Sequence, residues 1–222
     1  SATFEKLRRQ GKKALIPYVM AGDPDLSTTQ ALVSALEQNG ADIIELGIPF
    51  SDPLADGPVI QRASERSLRN KTSLRAVMDL VRTLRRQTQI PLVLMSYYNP
   101  IYKYGEEKFA EDALAYGVDG IIIPDLPPEE EPALQKECRR LGLTLSFLIA
   151  PTTQKKRAGV IARASRGFIY YVSVRGVTGA RQSLPEDIKK HLLALRKVTD
   201  KPFLVGFGVS TPEQARALSR IS

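Results

Sequence analysis

The amino-acid sequence predicts an α/β fold in which parallel strands form a barrel surrounded by helices. Short apolar segments alternate with segments of helical periodicity, and each apolar segment is nearly apolar throughout, as parallel strands buried on both faces must be. Seven strands are predicted, at residues 14–20, 42–48, 91–98, 120–126, 144–150, 168–174 and 202–208. Because no linker or low-complexity segment divides the 222 residues, one domain over residues 1–222 is expected.

A helix is predicted after each strand. The first ends at Asn39-Gly40, a pair typical of helix C-termini. The fourth is expected to open at Pro127-Pro128 and to continue through the acidic residues 129–131, because proline suits a first turn and carboxylates suit the positive end of the helix dipole. Residues 4–9 predict an additional N-terminal helix that covers one end of the barrel.

A doubly wound open sheet is the competing architecture. It usually carries a Gly-x-Gly-x-x-Gly turn after its first strand, whereas this chain has Ala21-Gly22-Asp23-Pro24 there. The steady βα repeat, with polar residues at many strand ends, favours a TIM (β/α)8 barrel whose site lies at the C-terminal face. Seven units are visible where closure needs eight. We therefore expect the eighth βα unit to be missing from this chain and the natural protein to be longer by roughly 30 residues.

Composition narrows the function classes. The net charge of +8 comes from basic residues scattered over predicted helices, without interleaved aromatic residues, so an anionic small molecule is favoured over nucleic acid. Neither a membrane span nor a signal peptide is present, which predicts a cytoplasmic protein. The single cysteine, Cys138, is predicted to pack on the apolar face of a helix, and the single histidine, His191, to lie at the amphipathic edge of another. No metal is expected, because these residues cannot form a Cys/His cluster.

The segment ELGIPFSDPLADGP, residues 45–58, holds the residues that predict chemistry. Glu45 lies within an apolar strand, where burial would raise its pKa and make it a proton donor and acceptor near neutral pH. A structural glutamate paired with a basic residue is the alternative. Asp56 follows in the loop and can approach the same cavity. Asp52 is a rival, although its Ser-Asp-Pro context suits a turn.

Two glycine-rich segments are candidates for binding phosphate. Residues 206–211, GFGVST, follow the seventh strand and lead into a helix with a capping pattern. Residues 176–179, GVTG, follow the sixth strand and suit a loop that closes on a substrate. Each could also be a simple turn. No lysine lies within a predicted strand, which argues against a Schiff-base aldolase.

With ELGIPFSDPLADGP as its signature, the chain resembles the alpha subunits of tryptophan synthase. The likeness continues through Pro17-Tyr18, Ala21-Gly22-Asp23-Pro24, Met95-Ser96-Tyr97-Tyr98-Asn99-Pro100, Pro124-Asp125-Leu126-Pro127, Tyr170, Gly176-Val177-Thr178-Gly179 and Gly206-Phe207-Gly208. The chain departs from the family pattern at Val174-Arg175 and in ending at Ser222, before the last strand and Gly-Ser turn that the family pattern leads one to expect.

The resemblance implies a lyase of tryptophan biosynthesis that splits indole-3-glycerol phosphate into indole and D-glyceraldehyde 3-phosphate by a retro-aldol reaction without a cofactor. It implies that Glu45 is the general acid and base and that Asp56 faces the indole N–H. The remaining implied roles are the indole pocket for Tyr18 and Tyr170, phosphate binding for Gly179 and Gly208, and positioning of the closing loop, with a contact to Asp56, for Thr178.

The resemblance also implies a partner, the pyridoxal-phosphate beta subunit of an α2β2 heterotetramer, contacted around Asp52 and Pro53 and reached by indole through a tunnel. Two other functions stay open on the sequence alone. One is a different phosphate-binding barrel, such as a sugar-phosphate isomerase or indole-glycerol phosphate synthase. The other is an allosteric binding subunit with an incomplete phosphate site.

Overall fold

The computed structural model describes residues 2–130, 132–172, 186–206, 209 and 211–220. Within these residues, strands and helices alternate along the chain as predicted. The strands are β1 Tyr18–Met20, β2 Ile44–Gly47, β3 Leu92–Met95, β4 Gly120–Ile122, β5 Thr144–Ser146, β6 Leu148–Ile149, β7 Ile169–Val172 and β8 Phe203–Gly206. The helices are α1 Ala2–Arg9, α2 Leu26–Gln38, α3 Pro58–Arg69, α4 Leu74–Leu84, α5 Tyr98–Tyr104, α6 Glu106–Tyr116, α7 Pro132–Leu141, α8 Lys155–Ala164, α9 Glu186–Arg196 and α10 Pro212–Ser219.

The strands form two sheets in which chain neighbours are also sheet neighbours. One sheet has the order β1-β2-β3-β4-β5 and the other the order β6-β7-β8. The pairs β1–β2, β2–β3, β3–β4, β6–β7 and β7–β8 are all parallel. Contacts divide the chain into two compact units, Ala14–Leu145 and Ser1–Lys13 with Ser146–Ser222. The repeated βα unit predicted from the sequence is therefore present in each.

The core of the unit Ala14–Leu145 lies around β2 and β3, which are buried at every position. Helix α4 buries a face of apolar residues at helical spacing, whose members are Leu74, Val77, Met78, Leu80, Val81 and Leu84. Burial of such a stripe against a sheet is the main source of stability for a helix of this length. The apolar strand segments and the apolar helix face that the sequence predicts are thus both buried in this unit.

Arg85, directly after α4, ties together the residues that precede β3 and β4. Its guanidinium donates hydrogen bonds to the carbonyl oxygens of Ile90 at 2.6 Å and Gly117 at 2.7 Å, and it forms an ion pair with Asp119. The Asp119 carboxylate also accepts a hydrogen bond from the Leu92 amide at 2.9 Å. This arrangement fixes the N-terminal ends of two central strands, at the end opposite to the loops that follow them.

The structure corrects two predicted boundaries. The predicted strand 144–150 is two strands, β5 and β6, interrupted at Phe147. The Phe147 amide donates to the Ser165 hydroxyl at 3.1 Å, while its carbonyl accepts from the Tyr170 amide at 3.1 Å. A side chain thus takes the hydrogen bond that a continuous strand would have used. In addition, two helices rather than one follow β2 and β3.

The predicted start of the fourth helix is wrong. Residues 127–130 form a turn closed by a hydrogen bond from the Glu130 amide to the Pro127 carbonyl at 3.2 Å, and α7 begins later, at Pro132. The Pro128 carbonyl is bound by the Gln135 side chain, which holds the turn against the helix. Proline suits the first position of a helix, and of Pro127, Pro128 and Pro132 it is the last that begins α7.

Other helix predictions are confirmed. The first predicted helix ends with Asn39 as its C-cap, and the N-terminal helix is α1. Cys138 is buried in α7, and burial raises the pKa of its thiol to about 12, as expected for a packing residue. His191 lies in α9 and its Nδ1 is 2.9 Å from the Tyr171 hydroxyl. Each helix in the described part of the chain is too short or too polar to cross a bilayer.

Candidate active site

Glu45 lies within β2 and is almost completely removed from solvent. Its relative exposure is 2%, and it pairs with Tyr18 of β1 and Val93 of β3. Desolvation raises the pKa of Glu45 to about 8, and the nearby charge of Asp56 contributes in the same direction. Glu45 is therefore mainly protonated at neutral pH and close to the point where it can both give and take a proton.

One oxygen of this carboxyl, Oε1, is buried and has no hydrogen-bond partner among the residues that the structure describes. Most buried polar atoms in folded proteins are paired, since an unpaired one costs stability. The alternative reading of Glu45, a structural glutamate paired with a basic residue, predicts an ion pair, and none of the ion pairs among the described residues includes Glu45. The unpaired Oε1 instead favours a carboxyl held for a molecule that enters the site.

Asp56 lies in the loop between β2 and α3 and is 8% exposed. The loop holds its backbone from two sides, because its amide donates to the Pro53 carbonyl at 3.1 Å and its carbonyl accepts from the Gln61 side chain at 2.9 Å. Burial raises the pKa of Asp56, and a hydrogen bond from Tyr97 opposes that rise. The charge of Asp56 also raises the pKa of Glu45, so the two carboxyls interact electrostatically.

Tyr18 belongs to the same group of side chains. Its phenol ring lies against Gly47 of β2, where a Cβ atom would overlap the Tyr18 hydroxyl. Burial raises the pKa of this phenol well above its ordinary value, with further contributions from Asp56, Glu45 and Tyr97. Tyr18 is therefore a neutral wall of the site, and Gly47 provides the space that the ring occupies.

Asp52 is not part of this group. Its side chain is exposed and accepts a hydrogen bond from the Ser51 hydroxyl at 2.5 Å, while its carbonyl accepts from the Leu54 amide at 2.9 Å. The sequence predicted a turn at this residue, and the structure shows one. The acceptor of the backbone N–H is the carbonyl of Asp52, however, and not its side chain.

Sequence reasoning missed Tyr97 and Phe50 as site residues. Tyr97 follows β3, is 5% exposed, and accepts a hydrogen bond from the Ala55 amide at 2.8 Å. Its ring packs on Phe50, with centroids 5.3 Å apart. Tyr97 stood in the motif Met95–Pro100, and its position at a strand end was the signal that could have found it.

Of the other predicted site residues, Tyr170 is buried in β7 with its phenol against Gly206 of β8. Thr178, Gly179 and Gly208 lie outside the described residues, as does Arg175. The helix predicted after GFGVST is α10, and Thr211 forms a capping box with Gln214. The helix start that was predicted to hold phosphate is therefore present.

Two further motifs support the site rather than enter it. In the segment after β1, the Ala21 carbonyl accepts from the Ser67 hydroxyl at 2.6 Å, and Asp23 forms a bidentate pair with Arg66 at 2.7 Å. Both partners lie on α3, the helix that follows the Asp56 loop. In the segment after β4, Asp125 accepts from the Tyr98 amide at 2.9 Å and so caps α5.

A buried glutamate with a pKa raised to about 8, on a strand of a parallel sheet and with an aspartate in the following loop, is typical of enzymes of the parallel α/β class that use acid–base chemistry. The family model of the tryptophan synthase alpha chain matches residues 4–222. The chain is 51% identical to the tryptophan synthase alpha chain of Geobacter sp. strain M21, over 97% of this chain and 80% of that protein. It is 50% identical to that of Thermosynechococcus vestitus, over 97% of this chain and 81% of that protein.

Solved structures of tryptophan synthase alpha subunits are also similar to this chain. The crystal structure of tryptophan synthase subunit alpha from Legionella pneumophila matches with a TM-score of 0.91 and 40% identity, over 100% of this chain and 82% of that chain. The tryptophan synthase α2β2 complex of Pyrococcus furiosus, described for its mutual activation, matches with a TM-score of 0.87 and 42% identity, over 93% of this chain and 83% of that chain. The chain belongs to the tryptophan synthase alpha chain family, which confirms the predicted α/β fold of the TIM-barrel type.

Proposed function

We propose that Glu45 and Asp56 are the catalytic residues of this alpha chain. The family reaction is a carbon–carbon lyase reaction of tryptophan biosynthesis, in which indole-3-glycerol phosphate is cleaved to indole and D-glyceraldehyde 3-phosphate. The observation that supports the assignment of residues is the carboxyl of Glu45, which is buried, unpaired at Oε1 and raised in pKa to about 8 beside Asp56.

The first step needs an acid. In its protonated form, Glu45 donates its proton to C3 of the indole ring, and positive charge develops at the ring nitrogen. The Asp56 carboxylate faces that nitrogen and stabilises the charge, an interaction that is strong in a site with little water. A glutamate of ordinary pKa would be ionised at neutral pH and would have no proton to give.

The second step needs a base, and Glu45 has become one by losing its proton. The Glu45 carboxylate takes the proton of the glyceryl hydroxyl next to the ring. The carbon–oxygen double bond of the aldehyde then forms, and the bond between C3 and the glyceryl carbon breaks, with its electron pair returning to the ring. Indole leaves with the new hydrogen on C3, and Glu45 is protonated as at the start.

The rest of the substrate is assigned to other residues. We propose that Tyr18 and Tyr170 line the indole pocket. Both are tyrosines in strands, with the phenol packed on a glycine of the next strand. Phosphate binding by Gly179 and Gly208, and loop positioning by Thr178, rest on the motifs GVTG and GFG. Backbone N–H groups of glycine turns and helix starts suit an anion.

The proposed partner is the beta subunit, as in the Pyrococcus furiosus complex. The loop that carries Asp56 also carries Leu54, whose side chain is 92% exposed, and the adjacent helix start carries the exposed Val59. Apolar side chains exposed next to polar Asp52 are typical of an interface. This agrees with the contacts expected around Asp52 and Pro53. The absence of a cofactor, the cytoplasmic location and the single domain over residues 1–222 remain predictions.

The experiment is to incubate the chain with indole-3-glycerol phosphate and to follow free indole, with and without the beta subunit. Glu45→Gln should lower kcat/KM by about 10²–10⁴-fold, because an amide cannot transfer the proton. Glu107→Gln, an exposed glutamate on α6, is the control and should retain normal turnover.

Asp56→Asn tests the second residue, and Asp52→Asn in the same loop is its matched control. In the isolated chain, Asp56→Asn should be severely impaired and Asp52→Asn much less so. A folded Glu45→Gln protein with near-normal turnover would contradict the proposal. If Asp52→Asn were the more damaging change, the roles of the two aspartates would be reversed.

A further inference from the structure

Tyr97 is the side chain that connects the strand core to the loop carrying Asp56. It follows β3, and 42 residues of sequence separate it from Ala55, whose amide donates to the Tyr97 hydroxyl oxygen at 2.8 Å. The ring is 5% exposed and packs on Phe50 at 5.3 Å. Because Phe50 lies in the segment that leads to the loop, Tyr97 contacts this segment at both ends.

The direction of the hydrogen bonds follows from the number of hydrogens available. A phenol has one hydrogen to donate and lone pairs to accept. Since the Ala55 amide can only donate, the Tyr97 oxygen accepts that bond and its own hydrogen stays available. Asp56 directly follows Ala55 in the loop that the Tyr97 hydroxyl binds, its carboxylate is an acceptor, and the interaction with Tyr97 lowers the pKa of Asp56 and so favours its ionised form.

The other titratable groups around Tyr97 and Asp56 do not stabilise the ionised form of Asp56 as Tyr97 does. Glu45 on β2 and Tyr18 on β1 act electrostatically with Asp56, and Asp125 after β4 acts on Tyr97. All are acids. Among the described residues, burial and Tyr97 are the influences resolved on Asp56, and they act in opposite directions. Tyr97 is therefore the donor that offsets burial.

We propose that Tyr97 is a positioning residue that holds the Asp56 carboxylate toward the indole nitrogen, by binding the loop at Ala55 and donating a hydrogen bond to Asp56. This rests on the proposed function, in which Asp56 must be ionised and Glu45 protonated. The pair then predicts a bell-shaped pH profile of kcat/KM. Ionisation of Asp56 dominates the acid limb and that of Glu45 dominates the basic limb, both as properties of the coupled pair.

The test variant is Tyr97→Phe, which keeps the ring on Phe50 and removes the hydroxyl. Loss of the hydrogen bond should raise the pKa of Asp56, so the acid limb should move to higher pH. On the acid limb, kcat/KM should fall by about 10- to 100-fold, as expected for a lost hydrogen bond to a charged group, and more through kcat than KM. Above the acid limb the loss should be smaller.

Tyr104→Phe is the matched control. The Tyr104 hydroxyl donates to Asp112 at 2.6 Å, so the variant also removes a tyrosine–aspartate hydrogen bond, but one between α5 and α6. Its pH profile should equal that of the unmodified chain. The conservative replacement of Tyr97 by 3-fluorotyrosine keeps the fold and offers a stronger donor, so it should move the acid limb to lower pH.

The double variant Tyr97→Phe with Asp56→Asn separates positioning from a general structural effect. If Tyr97 acts through Asp56, its loss should cost little once Asp56 is an amide. An additive loss, or an acid limb that neither Tyr97→Phe nor fluorotyrosine moves, would overturn the inference. If Asp56→Asn alone were fully active, the proposed function itself would fail. An impaired Asp56→Asn beside an unchanged Tyr97→Phe would overturn only the role of Tyr97.

Discussion

Two strand pairs in different units of the chain share one arrangement of a tyrosine on a glycine. In β1–β2, Tyr18 is paired with Glu45 and its phenol lies on Gly47. In β7–β8, Tyr170 is paired with Leu204, and its phenol lies on Gly206. In both pairs the glycine stands two residues after the partner of the tyrosine, on the same face of its strand.

The pairs differ at the position opposite the tyrosine. Leu204 fills it with an apolar side chain, whereas Glu45 places a carboxyl there with Oε1 unpaired. Leu204 stabilises the fold by burying apolar surface, whereas Glu45 destabilises it because its carboxyl is removed from water. The comparison teaches that the tyrosine–glycine pair is a feature of the scaffold. In one copy of it, Glu45 adds the carboxyl that we propose carries the acid–base chemistry.

Glu45→Leu should give the largest effect, since it makes the first pair resemble the second. We expect indole production to fall by at least about 10²-fold, because the proton donor is gone. The free energy of unfolding should rise by about 1–3 kcal/mol, because an unpaired buried polar group is removed. Urea unfolding at pH 7 beside the indole assay measures both. A variant that loses both stability and activity would show that Glu45 is needed for folding, and the comparison would break.

Stability should also depend on pH through Glu45. A pKa of about 8 in the folded state, against an ordinary value of 4.5, means that the folded chain holds this proton more tightly than the unfolded chain does. The contribution is fully present below pH 4.5 and is lost as pH rises toward 8, with a slope of at most about 1.4 kcal/mol per pH unit. The unfolding free energies of the chain and of Glu45→Gln should be compared across this window. Parallel curves would show that Glu45 titrates normally.

The smallest effects are expected from Gly47→Ala and Gly206→Ala. Each new methyl group overlaps a tyrosine hydroxyl, so both variants should lose about 1–3 kcal/mol of stability through overpacking. Gly159→Ala within α8, where a Cβ atom would meet nothing closer than 3.5 Å, is the control and should be neutral or slightly stabilising. Thermal unfolding of the three variants tests this. Unequal losses at Gly47 and Gly206 would show that the two pairs are less alike than their register indicates.

The sequence predicted the strand positions well, since each described strand lies within a predicted apolar segment. The strands are shorter than the predicted segments, and the segment 144–150 forms two strands separated by Phe147. A split of this kind depends on Ser165, a residue distant in sequence that binds the Phe147 amide. Hydrophobic periodicity reports which face is buried, but not which long-range partner takes a given N–H group.

For the site, a carboxyl in an apolar strand made Glu45 a candidate beside the alternative of a paired structural glutamate, because charged residues are seldom buried without a partner or a function. The same reasoning could not rank Asp56 above Asp52, since both lie in a polar loop. The structure separates them by burial and by the Tyr97 hydrogen bond. Tyr97 itself was not predicted, because an aromatic residue after a strand most often reflects core packing.

The hydrogen bonds and the ion pair between the segment after β1 and α3 affect the conformational entropy that is lost when the Asp56 loop is ordered. Ser67 and Arg66 on α3 are bound to Ala21 and Asp23, and α3 begins directly after the Asp56 loop. The loop is thereby held between a strand and an anchored helix. The conformational entropy of placing its carboxylate is lost once, when the chain folds, and not again each time a substrate arrives. Under the proposed function, the preorganisation of Asp56 is thus partly a property of the folded chain, since it depends on the contacts of α3 with the segment after β1.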